Sequence, residues 1–210
     1  MLEYNINLLK SKDYMCVPSC ILLILDRRGI KVKELEGLDL NLEAQFLLAS
    51  YLGVKIPEKD VKDYEPYKDI LKYEISYEDR TNGCNISDLN KQIFKPLNID
   101  LKEEFHSMNS LEHYDYFGEE PYKTIEDSLK NNDDIMVTLD YETYKKRNSN
   151  FLRGHCMLIS DLDMTKKELT IVNPLSEKNI IVEKYPIGIN FENSMYKFGS
   201  GGGLSIIKRA

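Results

Sequence analysis

Apolar positions follow two different rhythms along this chain. In the first half they fall at helical spacing. Val17, Ile21, Leu22 and Leu25 belong to a segment so densely apolar that it predicts a mostly buried helix over residues 17–28. Pro18 suits its first turn, where no N–H is needed, and Gly29 supplies its stop. Asn41 reads as the N-cap of a second helix over 42–52, ended by Gly53. Ser87 reads as the cap of a short third helix over 88–94, stopped by Pro96. Residues 1–15 look like an extended lead-in. Residues 55–82 are charged and tyrosine-rich with no clean period, and 100–120 read as an acidic, aromatic linker.

The second half changes character. Pro121 opens a helix carrying Ile125 and Leu129, ending near Asn131. After it, residues 135–139, 156–159, 169–172, 180–182 and 204–207 read as strands. Helices first and an antiparallel sheet afterwards is the α+β pattern, with helices packed at one side of the sheet. Alternation along the strands would leave one face for those helices, and a substrate cleft would form there. At 210 residues the chain suits a single domain over 1–210, mainly helical over 1–100 and mainly sheet over 121–210. The glycine patch at 199–203 does not precede a helix bearing Lys-Ser/Thr, so it is no phosphate loop; it reads as a turn or a mobile flap.

Charge narrows the class. A formal net charge of -7 argues against nucleic acid as a partner, because phosphate binding draws on clustered Lys and Arg. The longest apolar run is far short of the roughly 18 residues of a membrane span, so no membrane partner is expected. Met1-Leu2-Glu3 lacks a basic region and an apolar stretch behind it, which points to a cytoplasmic protein. In that setting Cys16, Cys20, Cys84 and Cys156 are expected as free thiols rather than a disulfide scaffold.

The candidate chemistry lies in three places. Cys16 opens the first apolar helix, where unpaired N–H groups and the helix dipole favour a thiolate; Cys20 lies a turn further in, outside that field. His155 follows Gly154 and opens an apolar strand, whereas His106 and His113 fall in the linker. Asn173 closes the next strand before Pro174, where its amide can accept from an imidazole and set its tautomer. Each alone has a bland explanation: a small core cysteine, a histidine satisfied by backbone, an Asn-Pro turn. Together they supply a nucleophile, a base and a group that orients the base. A zinc site from Cys16, Cys20, His155 and Cys156 does not match common ligand spacings, so no metal and no cofactor is expected.

The run Asp13-Tyr14-Met15-Cys16-Val17-Pro18-Ser19-Cys20 resembles the cysteine motif of the bacteriocin-processing peptidases and their stand-alone relatives. Gly154-His155 before an apolar strand resembles their histidine motif, and Val172-Asn173-Pro174 their Asp-Pro or Asn-Pro motif. The resemblance implies a papain-like fold, with a helical lobe carrying the cysteine packed on a sheet carrying the histidine. It implies Cys16 as nucleophile, His155 as base and Asn173 as the orienting residue. Two positions depart from the pattern. Val17 stands where the family often has Gly, and Lys10 stands where it has the Gln that donates to the oxyanion. Lys10, Ser11 and Asn7 are the candidates to take over that donation.

These readings lead to a cysteine hydrolase, a peptidase working through a thioester acyl-enzyme on a peptide or acyl substrate. An acyltransferase using the same Cys-His pair, or a weak or inert papain-like binding module, are the alternatives; the missing Gln motivates the last. Oligomeric state has no signature in this sequence.

Overall fold

The structure is a computed structural model that describes residues 1–78, 82–108, 121–147, 149–175 and 179–210. The chain divides into two compact units that interleave in sequence. One is built from Asn5–Leu101 and Pro174–Ile181, the other from Met1–Tyr4, Lys102–Asn173 and Val182–Ala210.

The first unit holds helix α1, Cys16–Arg27, and helix α2, Glu43–Tyr51, which pack together. Every residue of α1 from Val17 to Leu25 is buried, as a helix apolar on all sides requires. A short parallel pair, β1 (Lys55–Pro57) and β2 (Glu74–Ser76), and the one-turn helix α3 (Val61–Tyr64) follow. Met15, Phe46, Ala49, Val54, Ile56, Tyr64 and Leu71 form a core here. Two cap assignments change. Asn41 does not cap α2, whose N-cap is Leu42; the Asn41 Oδ1 instead accepts the Lys10 N–H at 2.8 Å. Over 88–94 there is no Ser87-capped α-helix but a wider π-helical turn, Asn90–Phe94. The Gln92 Oε1 there takes the Ser87 and Asp88 N–H groups at 3.0 and 3.1 Å.

The second unit is a six-stranded sheet with helices. Its strands are β3 (Leu101–Ser107), β4 (Asp134–Asp140), β5 (Gly154–Asp163), β6 (Glu168–Asn173), β7 (Ile181–Pro186) and β8 (Gly203–Arg209), arranged β3-β8-β4-β5-β6-β7. The β4–β5, β4–β8 and β5–β6 ladders are antiparallel. Helices α4 (Pro121–Lys130) and α6 (Ile189–Lys197) pack on β4, as does the one-turn helix α5 (Tyr141–Tyr144). The expected linker is therefore a strand over its first part, and His106 lies in β3; residues 109–120, with His113, fall outside the described residues. Strict alternation is also lost at the centre: all seven residues of β4 are buried, so both its faces are covered.

The glycine patch is packed rather than a flap. A Cβ on Gly202 would overlap the Met195 carbonyl, and one on Gly203 the His106 carbonyl, so only glycine lets α6 and β3 approach this turn so closely. Gly154 is similar, since a Cβ there would run into the Phe198 ring.

Candidate active site

Cys16 is the first residue of α1 and is half-buried, while Cys20, one turn on, is fully buried. All four cysteines are free thiols. The backbone leading into Cys16 is held at several points. Tyr14 adopts a left-handed conformation, φ 65°, that turns the chain into the helix. The Tyr64 hydroxyl donates to the Asp13 carbonyl at 3.0 Å, and the Cys84 thiol to that of Tyr14 at 3.5 Å. Pro18 fits the first turn because it has no N–H to leave unpaired.

The strongest of these holds is Gln45, a fully buried amide on α2. Its Nε2 donates to the Lys10 and Leu40 carbonyls at 2.8 and 2.9 Å. Its Oε1 accepts from the Lys12 N–H at 2.9 Å and lies 3.3 Å from the Ser19 Oγ. Both amide hydrogens are thus spent on carbonyls. Of the three oxyanion candidates, Ser11 is buried; its hydroxyl accepts from Ser19 at 2.9 Å and contacts the Lys12 carbonyl at 3.4 Å. Lys10 and Asn7 are exposed, and Lys10 also forms an isolated backbone bridge with Asn179.

Beside this approach lies a cavity of about 320 Å³, with Tyr14, Phe46, Tyr64 and Tyr67 as aromatic walls and Asp13, Asp60 and Asp63 at its margin. The Tyr14 hydroxyl donates to Asp60 there. Tyr64 and Tyr67, from the tyrosine-rich stretch after β1, thus line a cavity within the first unit.

In the sheet unit His155 lies at the start of β5, opposite Leu139 of β4. Its Nε2 stands 2.7 Å from the Oδ1 of Asn173, the last residue of β6. The structure therefore brings together two of the three residues proposed for the triad; Cys16 belongs to the other unit. Burial pushes the imidazole down to about 4, against the pull of the Asn173 hydrogen bond, so the ring is neutral at pH 7. Tyr141 packs against it with ring centroids 4.6 Å apart.

A second layer stands behind this pair. The Asn173 Nδ2 donates to Glu183 Oε1 at 2.6 Å. The Tyr144 hydroxyl donates to the same oxygen at 3.0 Å, and the Lys145 ammonium to Oε2 at 2.8 Å. Burial raises the Glu183 carboxyl, but these donors outweigh it and hold it below the usual carboxylate range. Tyr144 stacks on Tyr185, with centroids 4.1 Å apart, and accepts the Tyr185 hydroxyl on its carbonyl at 2.7 Å.

The segment from β4 to β5 is braced by Asp140, which is fully buried. It accepts from the Arg153 N–H at 2.8 Å, the Thr143 N–H at 3.2 Å and the Thr143 hydroxyl at 2.6 Å. Burial raises this carboxyl too, and those donors together with Lys197 bring it below its ordinary value. Glu183, Asp140 and Gln45 were not among the residues singled out from sequence. Glu183 alternates with Tyr185 on the inward side of β7, beyond the strand expected over 180–182.

No family model matches the chain, and no curated protein matches it in sequence. A crystal structure of a presumed C39-like peptidase from Bacillus anthracis does match, with a TM-score of 0.51 and 15% identity, over 99% of this chain and 98% of that one. The likeness is one of fold: an N-terminal helix and an antiparallel six-stranded sheet in the arrangement of a C39-like, cysteine-peptidase-type protein. Among the described residues, no helix is long and apolar enough to cross a membrane and no cluster of His, Cys, Asp and Glu could hold a metal ion.

Proposed function

We propose that the protein is a cysteine peptidase in which Cys16, His155 and Asn173 act together on an amide bond. The Cys16 thiol gives its proton to His155 Nδ1 and its sulfur bonds to the scissile carbonyl carbon. The C–N bond then breaks, and the amine leaves with the proton held by His155. Water attacks the thioester while giving a proton to His155, the S–C bond breaks, and the thiol recovers its proton. The observation that carries this reading is the 2.7 Å contact between His155 Nε2 and Asn173 Oδ1 in a chain with a peptidase-type fold. The position of Cys16 at the start of a 12-residue helix favours its thiolate. The cavity next to Tyr14, two residues from the thiol, offers room for one substrate side chain.

One observation favours a second reading, a binding module of low activity. Ser11 and Gln45 have their polar atoms committed elsewhere, which leaves oxyanion donation to exposed groups such as Lys10. Loss of one oxyanion donor typically costs roughly 100- to 1000-fold in rate.

Alkylation at pH 6, resolved by mass for each cysteine, separates the two. The peptidase reading expects selective modification of Cys16 in the wild type, falling sharply in His155→Ala. Uniform slow labelling of all four cysteines in both proteins would leave only the binding module. Peptide turnover that disappears in Cys16→Ala would exclude the module.

A further inference from the structure

We propose that Glu183 sets the tautomer of His155 by fixing which way the Asn173 amide faces. It is a positioning residue, and its catalytic consequence rests on the reading of His155 as base. Two of the groups here have a hydrogen-bond role that admits no choice. The Lys145 ammonium can only donate, and it donates to Glu183 Oε2 at 2.8 Å. The ionised carboxylate can only accept, so the Asn173 atom 2.6 Å from Oε1 must be the NH2 end of the amide. Its carbonyl oxygen then faces His155 and can likewise only accept. The proton of the neutral imidazole is therefore on Nε2, 2.7 Å away, and Nδ1 carries the lone pair.

Without the carboxylate that chain of obligations ends. A turned amide would present its NH2 to Nε2, and the ring proton would move to Nδ1. A base protonated there cannot take a proton from a thiol. The Asn173–His155 contact would persist with its chemistry reversed, so contact alone does not guarantee a working base. The Tyr144 hydroxyl adds a third donor on Glu183, and its stacking on Tyr185 keeps that donor in place.

The test is the ring-nitrogen NMR signature of His155, assigned among the three histidines by substitution, at a pH where the ring is neutral. Wild type is expected to show a protonated Nε2 and a bare Nδ1. Glu183→Gln preserves the shape but lets the two amides turn together. The two nitrogen signals should move toward each other as the second tautomer appears, and Cys16 alkylation should slow by on the order of tenfold. Folded Glu183→Gln with unchanged nitrogen signals would overturn the proposal. The NMR signal does not depend on Cys16, so it reports on Glu183 whether or not the cysteine labels.

A second measurement covers poor folding of that variant. Asn173→Asp puts a carboxylate against Glu183 and should lower the melting temperature. Adding Glu183→Gln supplies a donor in place of the acceptor and should raise it again. A double variant no more stable than Asn173→Asp would sink the idea, because a merely structural Glu183 predicts additive losses.

Discussion

The two ends of the proposed catalytic pair are held by different means. Around Cys16 the side chains bind the backbone: Gln45, Tyr64 and Cys84 grip carbonyls and N–H groups of residues 10–14 and fix where the helix begins. Around His155 the side chains bind one another, in a line through Asn173 and Glu183 to Tyr144 and Lys145. A nucleophile needs only its position and the field of a helix end, which backbone contacts can set. A base also needs its proton on the correct atom, and that takes side chains with fixed donor and acceptor roles. Substitutions around Cys16 should therefore act on stability, and those in the line behind His155 on protonation.

The largest expected effect is in the first unit. Gln45→Leu would take the Gln45 partner from two carbonyls and an N–H, at roughly 1–3 kcal/mol for each group that water cannot reach. A net loss of about 4 kcal/mol in urea unfolding is expected, with the His155 nitrogen signals unchanged in the protein that remains folded. A shift of those signals would erase the division of labour.

Asp140→Asn comes next, with a loss of roughly 1–3 kcal/mol, because an amide NH2 would face donors that need an acceptor. The folded carboxyl titrates below its ordinary value, so its contribution is present above that value and is lost as the pH falls through the folded one. The gap in melting temperature between wild type and variant should be full at pH 6 and narrow below pH 4. A gap that stays constant with pH would mean the carboxylate charge is not what matters.

His155 offers a sharper comparison. In the wild type the imidazole should titrate near 4, as burial dictates. The proposed pair expects a lower midpoint once Cys16 is replaced by alanine, because an interacting thiolate favours the imidazolium. Equal midpoints by NMR titration would count against the proposed pair. The sign for stability follows from a folded value below the ordinary 6.5. The contribution of His155 is complete above that pH and declines between 6.5 and about 4, where only the unfolded chain takes up the proton. The smallest effect belongs to Lys68→Ala, which removes an exposed ion pair with Glu65; the melting temperature should not move measurably.

The sequence made α1 legible because its apolar run has few alternatives to a buried helix. His155 and Asn173 were legible because one opens and the other closes an apolar strand segment. Glu183 was not, since the expected strand over 180–182 stops one residue before it, and Glu-Lys after an apolar pair reads as solvent-facing. In fact β7 continues to Pro186 with Glu183 and Tyr185 turned inward. Strand β3 escaped for a related reason: it is an edge strand whose Lys-Glu-Glu run suits a solvated position. Asn41 and Gln45 show the limit of local pattern. Both hold the backbone of residues 10–12, more than thirty positions away, and only the folded chain reveals that their amides are used there.

Strand β8 is the last in sequence, yet it lies between β3 and β4 in the sheet. During synthesis the long segment Asn5–Leu101, with the cysteine, emerges well before that position can be filled. Until β8 arrives, β3 and β4 each present an unpaired edge, and the support under β5 and its histidine is incomplete. The order of synthesis thus separates the two halves of the proposed site in time: a growing chain carries its thiol long before the sheet around the histidine is complete.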